Sequence, residues 1–421
     1  MINNIEDILR VFRTLHRLKE LPRQGFIYFR FKGDETDAIA EHSFMVTWIA
    51  YVLADELNAK GFGEENDNLV SKVIKMALIH DWGEAVAGDL SYRVKGEAFA
   101  ETEKLAFEAL IENLPEKGEL TELWNEYNAK KTIASAIVKF ADALDAWLQG
   151  LVTPSTWWPA WEDYNRKSEK SLGEVEEVGD KLSKLFRRIC DIAKDPDVQI
   201  RLSPPTDIPL DDTSLWNLLK FIKNIYCLKE LPRHGFTIFG MKRSETDSFA
   251  GHSFTTACLS YLLSMGMPDV DQCKAIKMAL IHDLPVALTG DVSYDLQEFA
   301  RKEWLDFEKS AIDELAKGLS SSRDEIKNLL QEWNELGSTE AWVVQVAAAL
   351  DAWEMGITTP TAWMDAWLDY RKRNIDKLEG APNDIRNILE EGYQKLACFE
   401  ECKLEGITVG REPKIQLIRL E

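Results

Sequence analysis

Apolar residues recur along this chain at three- and four-residue steps. Ile5, Ile8, Leu9, Phe12 and Leu15 form one such stripe, Phe44, Trp48, Tyr51 and Val52 a second, and Ile133, Ile137, Phe140, Leu144, Trp147 and Leu148 a third. That period gathers apolar side chains on one face of an α-helix, and Pro or Gly segments separate most of the periodic stretches. Strand-like character is confined to the short runs GFIYFRF at Gly25 and GFTIFGM at Gly235, too little to predict a sheet. The pattern predicts an all-α fold.

The same pattern occurs twice. LKELPRQGF at Leu18 returns as LKELPRHGF at Leu228, and ETDAIAEHSF at Glu35 returns as ETDSFAGHSF at Glu245, both at an offset of 210. IKMALIHDWGEAVAGDL at Ile74 has the near copy IKMALIHDLPVALTGDV at Ile276, and ALDAW stands at both Ala143 and Ala349. A repeat this long is a duplicated domain of about six helices rather than a short-period solenoid. RLSPPTDIPLDD, from Arg201 to Asp212, is rich in proline and aspartate, lacks helical periodicity and reads as an extended linker. The expected division is a domain at 1–202, a linker at 203–212 and a second domain at 213–421.

With 421 residues, 45% hydrophobic and 29% charged, the chain is long enough for two buried cores of ordinary globular composition. No apolar run reaches the roughly eighteen residues that cross a bilayer, and MINNIEDILR carries acids where a secretory leader wants lysines. A cytoplasmic protein with no membrane partner is expected. Six cysteines without a CxxC pair suggest neither a zinc ribbon nor a disulfide framework. The net charge of -22 is shared equally: residues 1–200 hold 25 basic and 36 acidic side chains, and the remainder holds the same numbers. So much negative charge repels a polyanion, which argues against long nucleic acids as partners but not against one nucleotide held through a metal.

Only six histidines are present, and four occupy equivalent places, His42 with His252 and His80 with His282. Asp81 follows His80 directly in an otherwise apolar stretch, VIKMALIHD. Burying a carboxylate beside an imidazole costs several kcal/mol unless a cation or strong donors compensate. On a later predicted helix, IVKFADALDAWLQG, Asp142 interrupts the apolar face, and Asp145 is a second candidate by position. Imidazoles and carboxylates drawn from three helices suit Mn²⁺, Fe²⁺, Co²⁺ or Ni²⁺ and leave room for water and substrate. Glu84, four residues after His80, is expected on the same side of that helix, and Asp89 follows Gly88 where the helix should stop, as a cap or as an acid of the site.

The order His, His-Asp, Asp resembles the HD-domain metal-dependent phosphohydrolases. More narrowly, AEHSF, IHDWGEAVAGDL and KFADALDAW are similar to the 5′-deoxynucleotidase branch over roughly Leu15 to Leu151. The resemblance implies two tandem HD-domain helical bundles forming a pseudo-dimer, with a further homo-oligomer possible. It implies His42, His80, Asp81 and Asp142 as ligands of one divalent ion, whether Mn, Co, Fe, Ni, Mg or Zn, because no further histidine lies between Asp81 and Asp142. It also implies that Glu84 and Asp89 handle protons or hold substrate and that Arg23, in LPRQGF, approaches the phosphate. The implied reaction is phosphate release from a small-molecule substrate, a (deoxy)nucleoside 5′-monophosphate.

The second copy keeps His252, His282 and Asp283 together with Arg233 and Asp291. Ala348 stands where Asp142 does, Val286 replaces Glu84, Gly251 replaces Glu41 and Pro285 replaces Gly83. A degenerate, inactive second site is expected, unless a one-turn helix shift brings in Asp351, the counterpart of Asp145. Two other functions fit the same residues: a nucleotide-sensing protein with little or no turnover, and a phosphodiesterase for a cyclic or signalling nucleotide. The tryptophans Trp157, Trp158, Trp161, Trp363 and Trp367 are candidates for a surface shared by the repeats, or for core.

Overall fold

Each repeat is organised around a helix with hardly any exposed face. The computed structural model describes residues 5–28, 35–62, 68–89, 97–175, 178–195, 207–359 and 361–405, and among them there is no strand. Helix Ile39–Ala59 buries residues on every side, including His42, and all of helix Phe249–Ser264 is buried. Such helices have no solvent stripe because neighbours cover them completely. In the first repeat the cover comes from Leu69–Ile79 and Ile133–Val152, and in the second from Gln272–Ile281 and Thr339–Thr358. No helix among the described residues is long and apolar enough to cross a membrane.

The two repeats pack on each other through these central helices, and the leading helix of each also reaches the central helix of the other. Helix Ile5–His16, whose Ile8, Leu9, Phe12 and Leu15 are fully buried, lies on Phe249–Ser264 of the other repeat. Helix Asp212–Tyr226 in turn lies on Ile39–Ala59. Polar bonds fasten the same face: Arg13 Nε donates to Glu354 at 2.8 Å, Tyr51 to Glu325 at 2.5 Å, and the Ser320 amide to Glu56 at 2.8 Å.

Within the linker, residues 203–206 lie outside the described residues. The Asp211 side chain accepts from the Ser214 amide at 2.8 Å and caps the helix that begins at Asp212. The strand-like runs form no strand where they are described: Gln24–Tyr28 is a short α-helix and His234–Phe239 a 3-10 helix followed by a turn at Gly240. The tryptophans do not form the shared surface. Trp161 and Trp367 are core residues of their own repeats, the first stacked on Tyr164 and the second tilted against Phe236, while Trp157, Trp158 and Trp363 are exposed.

Two isolated bridges, Pro22 with Ala38 and Pro232 with Ser248, tie each LPR loop to the start of the central helix. The Arg23 amide donates to the Asp37 carbonyl at 3.1 Å and the Ile39 amide to the Leu21 carbonyl at 3.0 Å, so Arg23 is held beside the His42 helix.

Candidate functional site

His42 sits in the first turns of the central helix and His80 at the C-terminal end of Leu69–Ile79. The His80 ring stands in the way of further helix: its Nδ1 takes the Ala77 carbonyl at 2.7 Å, and the chain turns with the Trp82 amide on the Ile79 carbonyl at 3.1 Å. Glu84 therefore begins a separate short helix, Glu84–Ala87, rather than continuing the face of the His80 helix as the spacing predicted. It is nonetheless buried.

Both imidazoles have Nδ1 committed. A carbonyl oxygen only accepts, so His80 carries its proton on Nδ1 and turns the Nε2 lone pair inward. His42 Nδ1 donates to Asp145 Oδ2 at 2.6 Å, which likewise aims its Nε2 away from Asp145. Around these two nitrogens lie Asp81 Oδ2, 3.1 Å from His80 Nε2 and 3.7 Å from His42 Nε2, and Asp142 Oδ1, 3.4 Å from His42 Nε2. His80 Nε2 is buried without a hydrogen-bond partner. A buried imidazole lone pair facing two carboxylates fits a divalent cation, and one ligand atom each from His42, His80 and Asp81 lie within 4.8 Å of one another.

Burial and the Arg23 guanidinium pull the His42 imidazole down, but bonding to Asp142 and Asp145 outweighs them and holds it above its ordinary value. Burial pushes Asp81 up, and His80 and His42 bring it below the usual carboxylate range. Asp142 is likewise pushed up by burial and held well below that range by Lys139, His42 and His80.

Lys139 Nζ is 2.5 Å from Asp142 Oδ2, and the Tyr127 hydroxyl donates to the same oxygen at 3.3 Å. Neither residue stood out in the sequence. Asp145 does not join Asp142 but lies behind His42, with Arg23 Nη1 at 3.9 Å. The Arg23 guanidinium also lies over the Phe26 ring, 4.2 Å from its centroid. Asp89 is not a helix cap within the described residues; its Oδ2 accepts from the Gly25 amide at 3.3 Å and so fastens the loop that carries Arg23.

The second repeat copies the scaffold and lacks part of the cluster. His252 Nδ1 bonds Asp351 at 2.5 Å and His282 Nδ1 bonds the Ala279 carbonyl at 2.6 Å. Asp351 thus stands behind its imidazole as Asp145 does, and no one-turn shift brings it to the place of Asp142. Ala348 and Gln345 replace Asp142 and Lys139, so both members of that pair are missing together. His252 is pulled down to about 4 by burial and by Arg233, the opposite direction to His42. Asp291 still accepts from Gly235 at 2.6 Å.

The HD domain family matches twice, over residues 15–182 and 225–391. The chain belongs to this family. It is 29% identical over 147 residues to a bovine protein named 5′-deoxynucleotidase HDDC2, with 34% of this chain and 66% of that protein covered. A 5′-deoxynucleotidase of Erwinia tasmaniensis is 34% identical over 148 residues, with 33% of this chain and 71% of that protein covered. Thus the chain spans about two thirds of the bovine relative's length. Among solved structures, that of the PH0347 protein from Pyrococcus horikoshii OT3 shares 26% identity, with a TM-score of 0.35, and covers 44% of this chain and 96% of its own.

Proposed function

We propose that the first repeat is a divalent-metal phosphohydrolase of small nucleotides, releasing phosphate from (deoxy)nucleoside 5′-monophosphates. The observation that carries this reading is the convergence of His42 Nε2, His80 Nε2, Asp81 and Asp142, with His80 Nε2 buried and unpartnered. A divalent ion held by these four side chains would supply Lewis acidity and water of lowered pKa. The names of the relatives, 5′-deoxynucleotidases, support the nucleotide.

The chain's own residues divide the remaining work. Asp145 fixes the orientation of His42, and Arg23, braced on Phe26, offers a guanidinium fork to phosphate oxygens. Asp89 holds the Arg23 loop, and its counterpart Asp291 makes the same bond in the second repeat, where Glu84 has become Val286. The acid lost from the second copy is the better proton donor to the leaving 5′-oxygen, which assigns that role to Glu84 and a positioning role to Asp89. On this reading the repeats form a pseudo-dimer in which only the first is catalytic.

The test is a panel of 5′- and 3′-monophosphates and cyclic nucleotides with Mn²⁺ or Co²⁺. Phosphate release from 5′-monophosphates, reduced by about 100-fold or more in Glu84→Gln, is the expected result; no release from any member overturns the proposal. A second reading rests on the cavity of about 600 Å³ in the second repeat, lined by Arg233, His252, His282, Asp283 and Asp291. It would make that repeat a nucleotide sensor, and binding of two nucleotides per chain without turnover would favour it.

A further inference from the structure

The 3-10 helix Cys227–Lys229, which directly follows Asp212–Tyr226, carries a lysine that ends inside the other repeat. Lys229 Nζ lies 2.6 Å from Asp37 Oδ2 as an ion pair, 3.3 and 3.4 Å from the two oxygens of Asp145, and 3.1 Å from Gln149 Oε1. All three partners belong to the first repeat; Tyr226, at 3.2 Å, is the neighbour from its own. The Lys229 side chain is 2% exposed. From the proposed metal reading we infer that Lys229 is a positioning residue for the His42 ligand, supplied by the second repeat to the first.

Asp145 is the link. It is fully buried and receives the His42 Nδ1 proton at 2.6 Å. A carboxylate behind a metal-binding imidazole fixes the ring's orientation and raises its basicity as a ligand, provided the carboxylate stays charged and in place. Burying Asp145 beside Asp37, also buried, puts two anions together, a large cost without a cation between them. The first repeat offers Arg23, at 3.9 Å from Asp145, while the lysine from the second repeat is closer to Asp145 and touches both acids. Burial pulls the lysine's pKa down, but Asp145 and Asp37 outweigh it and raise it, so the ammonium stays charged. The chain of contacts is Lys229 to Asp145 to His42.

The duplication supplies its own control. Lys19, the counterpart of Lys229, crosses the opposite way and lies 2.7 Å from Asp247 Oδ2 and 2.9 Å from both oxygens of Asp351, behind His252. It too is 2% exposed. Its loss removes the same kind of buried ion pair, but from the repeat in which Ala348 replaces the fourth ligand. The degenerate copy is retained, on this account, because the first site is incomplete without its lysine.

The experiment is Mn²⁺ titration calorimetry on the metal-free full-length chain, alongside thermal melts, for wild type, Lys229→Met and Lys19→Met. Both variants should melt lower. Lys229→Met should weaken Mn²⁺ binding by about 10- to 100-fold, and Lys19→Met should leave it within about twofold. Equal effects of the two variants, or unchanged affinity in Lys229→Met, overturn the inference while wild-type binding keeps the metal reading. Wild-type protein that takes up no Mn²⁺ overturns both. Should Lys229→Met fail to fold, the double variant Lys229→Met with Asp37→Asn restores the charge balance while leaving Asp145 without its lysine; it is expected to show the same loss, and wild-type affinity there overturns the inference.

Discussion

Asp142 is buried at the edge of the histidines and paired with the partly exposed Lys139, and the second repeat has neutral residues at both positions. Asp142→Asn keeps the shape and removes the charge. It should weaken Mn²⁺ binding by more than about 100-fold, since loss of an outer partner alone costs about 10- to 100-fold, with helix content unchanged by circular dichroism. Tyr127→Phe removes only the hydrogen bond to Asp142 Oδ2, so calorimetry should show a loss of about tenfold or less. As candidates, His80, Asp81 and Asp142 were legible in the sequence because each interrupts an apolar stretch, and His42 because its histidine recurs at His252. Lys229 and Asp37 were not, although both lie in strings common to the two repeats, LKELPR and ETD. Their meaning depends on a contact between repeats, and spacing along one helix carries no trace of it.

Helix periodicity located the principal helices but not where they stop. The stripe ending in IHDWGEAVAGD reads as one helix, whereas the His80 ring takes a backbone carbonyl and breaks it, so Glu84 reaches its place by a turn. The Trp161 and Trp367 contacts have a similarly local cause. A Cβ at Gly150 would meet the Trp161 ring at 2.0 Å, and one at Gly356 the Trp367 ring at 2.5 Å, so each indole packs where a helix lacks a side chain. Gly150→Ala should destabilise the protein by about 3 kcal/mol or more through overpacking. Gly118, with nothing within 4 Å, is the contrast: Gly118→Ala should be neutral or stabilising by up to about 1 kcal/mol. Denaturant midpoints of the two variants check the difference.

At the scale of the whole molecule, duplication was plain from the repeated strings, but the reach of each leading helix onto the other repeat was not, because each stripe fits either repeat equally well. The packing of the repeats on each other also brings acids of the two together. Asp55 is raised from 3.8 to about 6, first by burial and next by Glu325 of the other repeat. An acid raised on folding binds its proton more tightly when folded, so its contribution to stability falls as pH climbs from about 4 to about 6 and is level above. Asp55→Asn lacks that loss. Its melting-temperature advantage over wild type should widen across this interval and then stay constant, and a flat difference would contradict the assignment. One cation gripped in the first repeat by His42, His80, Asp81 and Asp142 is what every metal-binding prediction above requires. Anomalous diffraction at the manganese edge from Mn²⁺-soaked crystals of the full chain tests it most directly. A peak among those four side chains is expected; no peak there, or one only between His252 and His282, would overturn the assignment.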